Sequence, residues 1–362
     1  MRRIFTTLTF LLAFPVWAQA LESRDGPLEV SPVVTGLDAP WAMGFLPEGG
    51  FLVTERDGNL RHFRSDGSQA NVTGLPDIAV GGQGGLLDLL IPRDFAQTRE
   101  VLFTYAKRQG RGEGTALGAG TLSADGTQLQ NTRILFEIAE GSNGGRHFGS
   151  RLVEARDGTL FMTIGDRGDR PSAQDRSLHN GSVLRLNRDG SVPADNPFIG
   201  QNGVQPEIWS YGHRNPQGAA LDASGQLWVN EHGARGGDEV NRVERGANYG
   251  WPVISYGRHY SGLPIGEGQS KDGLQQPVHY WDPSIAPSGM MIYTGDMFPG
   301  WRGDLFVGSR KFGLISRLSP GGDELEQIQG PETDRVRDIR QAPDGSIWVM
   351  SVGNGAIYRI SR

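Results

Sequence analysis

The segment Gly158-Thr159-Leu160-Phe161-Met162 is one copy of a unit that recurs along the chain, in which a turn and a short spacer precede large apolar side chains. Apolar runs bounded by turn residues are typical of buried β-strands. The other copies are Gly49-Gly50-Phe51-Leu52-Val53, Glu100-Val101-Leu102-Phe103, Gly225-Gln226-Leu227-Trp228-Val229, Gly303-Asp304-Leu305-Phe306-Val307 and Gly345-Ser346-Ile347-Trp348-Val349. Six units indicate six repeats of one small β-structure.

A second apolar stretch precedes most of these units, at residues 41–46, 86–90, 218–221 and 336–340. Two neighbouring antiparallel strands, repeated six times with room for two more strands each, predict an all-β chain. The predicted fold is a six-bladed β-propeller with four-stranded antiparallel blades. A β-sandwich is the rival fold, but it would not repeat a hairpin at this spacing.

The spacing of the repeats is uneven. Positions 52, 102, 161, 228, 306 and 348 are equivalent and are separated by 50, 59, 67, 78 and 42 residues. Units three to five therefore carry long insertions, and the longest lies between 228 and 306. Loops on a rigid scaffold are where binding and catalytic residues concentrate. We expect long loops over a site on the propeller axis.

Composition excludes several classes of protein. The 362 residues include 54 Gly, about twice the ordinary usage, and the formal net charge is -6. The chain has no Cys, which excludes disulfides, thiol catalysis and Cys-ligated zinc or iron–sulfur sites. Its arginines are scattered and form no basic stripe, so we expect no nucleic-acid partner.

The first twenty residues are typical of a secretory signal peptide. Arg2 and Arg3 precede an apolar run at 4–17, and residues 18–20 form a small-x-small cleavage site. A membrane anchor is the other interpretation, but the run is shorter than the roughly 20 residues that a spanning helix needs. The sequence predicts cleavage after Ala20, a single propeller domain over 21–362, a periplasmic location and no stable membrane insertion.

Candidate catalytic residues fall in the loops. His147 lies in a glycine-rich loop before the third unit, and Asp166 follows the strand of that unit. A histidine base needs a free ring nitrogen and a carboxylate that holds its tautomer. Two neighbouring antiparallel strands would return Asp166 to the rim where His147 lies. His232, in a later loop, is an alternative base that the spacing does not exclude.

Two further loops carry residues suited to a ligand or a metal. Arg214 follows a strand and offers a flat fork of donors to a planar anionic or quinonoid ligand, although a surface salt bridge is the plainer interpretation. Near Gly233, loop carbonyls together with Asp238 and Glu239 are hard oxygen ligands of the kind that Ca²⁺ takes. The spacing is not that of an EF-hand, so it indicates calcium only weakly.

Eight motifs in one order carry a family resemblance, which runs from about residue 38 to the C-terminus. The motifs are Gly82-Gln83-Gly84-Gly85-Leu86-Leu87, His147 with 149–153, Ile164-Gly165-Asp166, Gly212-His213-Arg214-Asn215-Pro216-Gln217-Gly218, Asp238-Glu239-Val240-Asn241, Gly246-Ala247-Asn248-Tyr249-Gly250-Trp251-Pro252, Lys311 and Arg335-Val336-Arg337-Asp338. Together they resemble the soluble quinoprotein glucose and aldose sugar dehydrogenases, and the length is closer to the aldose sugar dehydrogenase branch. The resemblance implies a six-bladed propeller that uses pyrroloquinoline quinone (PQQ) and Ca²⁺.

The resemblance also implies a role for each matching position. His147 would remove the proton of the sugar C1 hydroxyl while a hydride passes from C1 to the quinone. Asp166 would orient His147, and Arg214 would polarise the quinone oxygen. The residues implied in binding PQQ are Gln83, Arg214, Asn215, Tyr260, Lys311, Arg335 and Arg337. The implied Ca²⁺ ligands are the carbonyls of Gly233 and Ala234 and, for a second ion, Glu239 and the Tyr249 carbonyl.

The resemblance implies an exported enzyme that oxidises aldoses such as glucose to lactones and passes electrons to an unidentified acceptor other than O₂ or NAD. We expect a monomer or homodimer. One alternative is a calcium-dependent propeller lactonase, which would place side-chain carboxylates and amides at an axial metal. Three cations expected at the axis, Lys311, Arg335 and Arg337, argue against it. The other alternative is a non-catalytic carbohydrate- or protein-binding propeller, which would lack a base.

Overall fold

Antiparallel strands make up nearly all the regular structure of residues 20–110 and 112–362, the part of the chain that the computed structural model describes. The strands of the N-terminal half are β1 (Ala20–Ser23), β2 (Gly26–Val34), β3 (Pro40–Phe45), β4 (Phe51–Glu55), β5 (Asn59–Phe63), β6 (Gln69–Val72), β7 (Leu86–Leu90), β8 (Glu100–Gln109), β9 (Gly112–Leu122), β10 (Leu129–Glu137), β11 (Leu152–Glu154), β12 (Leu160–Ile164) and β13 (Ser182–Leu186). Those of the C-terminal half are β14 (Ile208–Tyr211), β15 (Pro216–Leu221), β16 (Leu227–Glu231), β17 (Asp238–Arg242), β18 (His279–Trp281), β19 (Pro287–Ile292), β20 (Leu305–Ser309), β21 (Leu314–Leu318), β22 (Glu324–Gln329), β23 (Val336–Gln341), β24 (Ile347–Ser351) and β25 (Ala356–Ser361).

These strands form six sheets, each of which is one blade of a propeller. Consecutive strands pair within a blade, and the first strand of each blade lies innermost. The innermost strands β3, β7, β11, β15, β19 and β23 contact one another in sequence, and β23 returns to β3, so the ring is closed. The recurring apolar units of the sequence form the second strand of every blade. The prediction of a six-bladed, four-stranded propeller is confirmed.

The last blade is built from both ends of the described chain. Strand β2 pairs with β25, and β1 pairs with β2, so that this sheet has five strands in the order β1-β2-β25-β24-β23. Joining the two chain ends in one sheet closes the ring through main-chain hydrogen bonds.

The hydrophobic core is divided among the interfaces between blades. In the described part of the chain, each pair of neighbouring blades encloses one buried apolar cluster. Between the first two blades, for example, Trp41 and Leu52 pack with Phe103 and Tyr105. Each sheet thus buries both faces, which explains why the second strands are apolar runs without alternation.

Helices are short and lie outside the sheets. They are α1 (Phe95–Thr98) and the 3₁₀ turns Arg170–Gln174, Pro299–Trp301 and Pro331–Thr333. Within the described ranges, no helix has the length and apolar character needed to cross a membrane. The predicted signal peptide covers residues 1–19, which lie outside the described residues, and Ala20. Long segments at 187–207 and 243–278 precede the outer strands β14 and β18, where the sequence predicts insertions.

Candidate functional site

A cavity of about 410 Å³ is lined by residues from all six blades and therefore lies on the propeller axis. Two positions of the repeat supply much of its wall. The residue just before an innermost strand contributes Ala39, Asn215 and Arg335, and the residue just after a second strand contributes Arg56, His232, Arg310 and Val352. These two positions place side chains of four blades at the axis, and much of the chemistry of the cavity depends on which residues occupy them.

Positive charge dominates this cavity. Its lining includes Arg56, Arg310, Arg335 and Arg337, whereas no carboxylate of the described residues is among the lining side chains. Burial, followed by the charges of Arg335 and Arg56, lowers the pKa of Arg310. Like charges held close together in a partly buried space favour an anionic ligand.

Arg337 is the clearest example of a cavity residue whose hydrogen-bond donors are not all used by the described residues. Its guanidinium is buried, with Nη1 2.8 Å from Oε1 of Gln217 and its carbon 3.9 Å from the centre of the Trp41 ring. The Nε atoms of Arg337 and Arg310 are buried without a hydrogen-bond partner among the described residues. Burial, followed by the charge of Arg310, lowers the pKa of Arg337 well below its ordinary value. A planar polycarboxylate fits this donor set, because each carboxylate could pair with a guanidinium.

His147 and Asp166 form a hydrogen-bonded pair beside the cavity. Nδ1 of His147 lies 2.6 Å from Oδ1 of Asp166, and the Asp166 side chain is fully buried. Since a carboxylate only accepts, Nδ1 carries the proton and Nε2 is left as the acceptor of the neutral ring. The His147 main-chain N–H donates to Oε1 of Gln83, and the next residues, Phe148 and Gly149, line the cavity. The geometry is that of a histidine base held by a carboxylate.

Close packing of two loops brings this pair together. A Cβ atom on Gly165, between strand β12 and Asp166, would lie 2.2 Å from the carbonyl oxygen of His147. Only glycine allows that approach. His147 itself has a φ of 55°, in the left-handed region that non-glycine residues seldom adopt. Unusual backbone conformations of this kind cluster at functional sites.

The surroundings of His147 keep its imidazole neutral. Burial lowers the pKa of His147 below the 6.5 usual for histidine, and the charge of Arg214 lowers it further, while the hydrogen bond to Asp166 acts in the opposite direction. The side chain is 13% exposed, so it is not closed off from solvent. A neutral ring near pH 7 is the state that can accept a proton.

The alternative base, His232, is less suited to proton transfer. It lines the cavity, but its Nε2 donates to the carbonyl oxygen of Pro287 at 2.7 Å. Burial lowers the pKa of His232 to about 4, which makes it a weak base. The geometry therefore favours His147 over His232 as the base.

A second, smaller cavity lies beside the first and shares His232 with it. It has a volume of about 20 Å³ and is lined by Gly233, Tyr249 and the carboxylate residues Glu231 and Glu239. Burial, followed by the charge of Glu231, raises the pKa of Glu239 to about 8. Glu231 is buried and paired with His213 at 2.7 Å, and Glu239 is partly buried beside it, so a proton or a cation would stabilise Glu239 in this space.

The cation preferred by this smaller cavity would be one with hard oxygen ligands. Within the described ranges, no group of three or more His, Cys, Asp or Glu side chains is arranged as a metal site. Gly233, Tyr249 and Glu239, which are predicted ligands of two different ions, all line this cavity, and carbonyl and carboxylate oxygens are ligands that suit Ca²⁺. Ala234, the other predicted ligand, is buried next to Gly233 but does not line the cavity.

The structure brings together most of the predicted site residues. Gln83, Asn215, Arg335 and Arg337 line the axial cavity, and Arg214 lines the smaller one. Two predicted cofactor residues line neither cavity. Tyr260 is 70% exposed, and the exposed Lys311 packs its Nζ 4.8 Å from the centre of the Phe312 ring.

Three residues of the site were not among those predicted from the sequence. Arg56 and Arg310 line the axial cavity, and Arg310 occupies the wall next to Lys311. The signal that could have found them is their position directly after the second strand of a blade. Trp251 donates from Nε1 to Oδ2 of Asp166 at 2.8 Å, a contact that depends on how the long insertion folds.

Fold and site together define a class: a six-bladed propeller with a cationic axial cavity and a histidine–carboxylate pair beside it. The model of the Glucose / Sorbosone dehydrogenase family matches residues 37–359. The chain belongs to this family, so the predictions of the family and of an oxidoreductase are confirmed.

Similar proteins extend over nearly the whole chain. Aldose sugar dehydrogenase YliI of Escherichia coli K12 is 41% identical, over 97% of this chain and 98% of the relative. The crystal structure of the soluble aldose sugar dehydrogenase from Escherichia coli in the apo-form has a TM-score of 0.88 at 41% identity, covering 92% of this chain and 99% of that one. The PQQ-bound form of aldose sugar dehydrogenase from Streptomyces coelicolor has a TM-score of 0.75 at 25% identity, covering 92% and 98%.

Proposed function

We propose that this protein is an exported, PQQ- and Ca²⁺-dependent aldose sugar dehydrogenase. It oxidises the C1 hydroxyl of aldoses such as glucose to the lactone and passes the electrons to an acceptor other than O₂. The observation that carries the proposal is the His147–Asp166 pair beside an arginine-lined axial cavity. The similarity to aldose sugar dehydrogenases, one of them in a PQQ-bound form, supports the same substrate and cofactor.

The axial cavity is the proposed cofactor site. PQQ, when bound, supplies the acceptor for the hydride that leaves C1 of the sugar. The guanidinium groups of Arg56, Arg310, Arg335 and Arg337 would hold its carboxylates, and Gln83 and Asn215 would offer amide groups to it. Of the residues implied by the resemblance, Tyr260 and Lys311 are exposed and line neither cavity, and their contact with PQQ stays a prediction.

His147 is the proposed base. Its Nε2 accepts the proton of the C1 hydroxyl, while Nδ1 keeps its hydrogen bond to Asp166. The buried Asp166 carboxylate stabilises the imidazolium that forms, because opposite charges attract strongly in a site with little water. Arg214, whose Nη1 donates to the His232 carbonyl at 3.2 Å and whose Nε has no described partner, supplies positive charge beside the reaction.

Ca²⁺ is the proposed metal, with the carbonyls of Gly233 and Ala234 as ligands toward the axial site. Glu239 and the Tyr249 carbonyl are the proposed ligands of a second, structural ion. The raised pKa of Glu239, caused by burial and then by Glu231, supports a cation at the smaller cavity. A bound divalent cation would remove the cost of holding these carboxylates close together.

The other two functions fit the site less well. A calcium-dependent lactonase would need side-chain carboxylates at an axial metal, whereas the described lining of the axial cavity is cationic. A non-catalytic sugar-binding propeller would have no use for a left-handed His147 fixed by a buried carboxylate.

Export and assembly remain part of the proposal. Residues 1–20 form the signal peptide, and 21–362 form the mature single-domain enzyme, located in the periplasm as a monomer or homodimer. The sequence has no strand-linked G-x-G-x-x-G unit, which counts against a nucleotide cofactor.

Reconstitution tests the proposed function. Apoprotein is incubated with PQQ and Ca²⁺, and reduction of an artificial dye is followed over a panel of mono- and disaccharides. We expect dye reduction with aldoses only when both PQQ and Ca²⁺ are present. If no sugar of the panel leads to reduction of the dye, the proposal is contradicted. An H147A variant that keeps the full rate would also contradict it.

A further inference from the structure

Trp251 connects the smaller cavity with the histidine–carboxylate pair. Its indole Nε1 donates at 2.8 Å to Oδ2 of Asp166, the oxygen that His147 does not use. The guanidinium carbons of Arg170 and Arg214 lie 5.3 and 5.4 Å from the centre of its ring. The side chain is buried and also lines the smaller cavity. Trp251 therefore contacts the carboxylate that holds the base.

The main chain holds the indole in place. The Trp251 N–H donates to the carbonyl of Gly212 at 2.8 Å, and its carbonyl accepts from Nε2 of Gln174 at 2.7 Å. Its neighbour Gly250 donates to Oδ1 of Asn248 at 2.9 Å. Because these contacts fix the backbone on both sides, the indole N–H is directed at Asp166 before any ligand binds.

We propose that Trp251 is a positioning residue that sets the orientation and the proton affinity of the His147–Asp166 pair. This proposal rests on the proposed function. Oδ1 of Asp166 accepts from His147 and from the Gly168 N–H at 2.8 Å, and Oδ2 accepts from Trp251. Donors on both oxygens fix the plane of the carboxylate, and the indole N–H partly offsets its negative charge.

The sign of the effect follows from this charge. The charged groups around His147 are Asp166, Arg214 and Arg146, and only Asp166 is negative. Without the indole N–H, the full charge of Asp166 acts on the imidazolium, so the pKa of His147 rises. Since the base must be neutral, the loss of activity at acidic pH would begin at a higher pH.

The test compares W251F, which keeps a ring but loses the donor, with W251Q, which keeps a donor but loses the ring. W301F is the matched control, because Trp301 is also buried and its indole N–H donates to the carboxylate of Asp25 at 2.5 Å. The guanidinium carbon of Arg317 lies 5.0 Å from the centre of the Trp301 ring. NMR titration of the histidine rings in apoprotein, with the His147 signal assigned by H147Q, gives its pKa without any cofactor.

For W251F we expect the pKa of His147 to rise by roughly 0.5–1 unit, with the acid limb of kcat/KM in the reconstituted enzyme moving by the same amount. W251Q should raise the pKa of His147 by less, and W301F should leave it unchanged. If W251F does not fold, W251L, which also lacks the indole donor, replaces it in the comparison. An unchanged His147 titration with a rate lowered equally at every pH would overturn the proposal. A shifted titration in a protein that oxidises no sugar would contradict the proposed function instead.

Discussion

The Nδ1 atom of His147 lies 2.6 Å from Oδ1 of Asp166, which leaves Nε2 as the one ring nitrogen able to accept a proton. Replacing His147 by Gln removes the base, and we expect kcat to fall by about 10²–10⁴-fold. His179, which pairs with Glu207 at 3.1 Å outside the axial cavity, is the matched control. H179Q should keep its kcat per folded molecule, and an equal loss in both variants would show that the effect is structural.

Asp166→Asn keeps the shape of the side chain and removes its charge. Without the carboxylate, the imidazolium of His147 loses its stabilisation, and we expect kcat to fall by about 10²–10⁴-fold. Binding of PQQ, measured by absorbance titration of apoprotein, should change little because Asp166 does not line the axial cavity. A variant that loses PQQ binding and activity together would show that Asp166 serves the cofactor site and not the base.

The pH dependence follows from the lowered pKa of His147, which burial causes and Arg214 reinforces. The neutral ring is the active form, so kcat/KM should be constant near neutral pH and fall tenfold per unit below an apparent pKa under 6.5. In D166N the fall of kcat/KM at acidic pH should begin at a still lower pH, because the negative charge that favours the imidazolium is gone. An acid limb above pH 7 in the parent enzyme would contradict a neutral buried base.

Arg310→Leu separates cofactor binding from stability. Arg310 lies in the axial cavity with Arg56 and Arg335, and burial followed by these charges lowers its pKa. We expect PQQ binding to weaken by about tenfold or more, whereas Tm of the apoprotein rises by about 1–3 °C as repulsion is relieved. R108L, at an exposed arginine, is the control. A lower apoprotein Tm in R310L, with PQQ binding intact, would show that Arg310 is a structural residue.

Calcium should stabilise the apoprotein through the smaller cavity. A cation that binds only the folded state at 100 times its Kd adds about 2.7 kcal/mol to the free energy of unfolding. We expect Ca²⁺ to raise Tm, a chelator to reverse the rise, and E239Q to lose most of it. E267Q, at an exposed carboxylate paired with Lys271, should respond as the parent does. An equal response of E239Q and the parent would place the ion elsewhere.

Much of the fold could be predicted because the repeats bury both faces of each sheet. The second strands, such as Leu160–Ile164, are fully buried, and the apolar residues at their start are visible in the sequence. The edge strands are harder to recognise in the sequence, because several of them are short and polar. Examples are Gln69–Val72 and Ala20–Ser23, of which the second adds a fifth strand to the last blade.

The site was harder to predict where it depends on the direction in which a side chain points. Two strands of one blade return Asp166 to His147, and the sequence order shows this. Arg310 and Lys311 are adjacent cations after one strand, and only the packing of the hairpin decides that Arg310 faces the axis. Trp251 lies within a long insertion, so its contact with Asp166 has no counterpart in the sequence pattern.

Single-turnover reduction of the cofactor tests the central claim most directly. Apoprotein of the parent and of H147A is loaded with equimolar PQQ and excess Ca²⁺, the Kd for PQQ is measured, and glucose is added without any external acceptor. We predict an unchanged Kd in both proteins, with reduction of bound PQQ by glucose in the parent at a rate at least about 10²-fold above that of H147A. Equal rates of reduction at equal Kd would contradict the account.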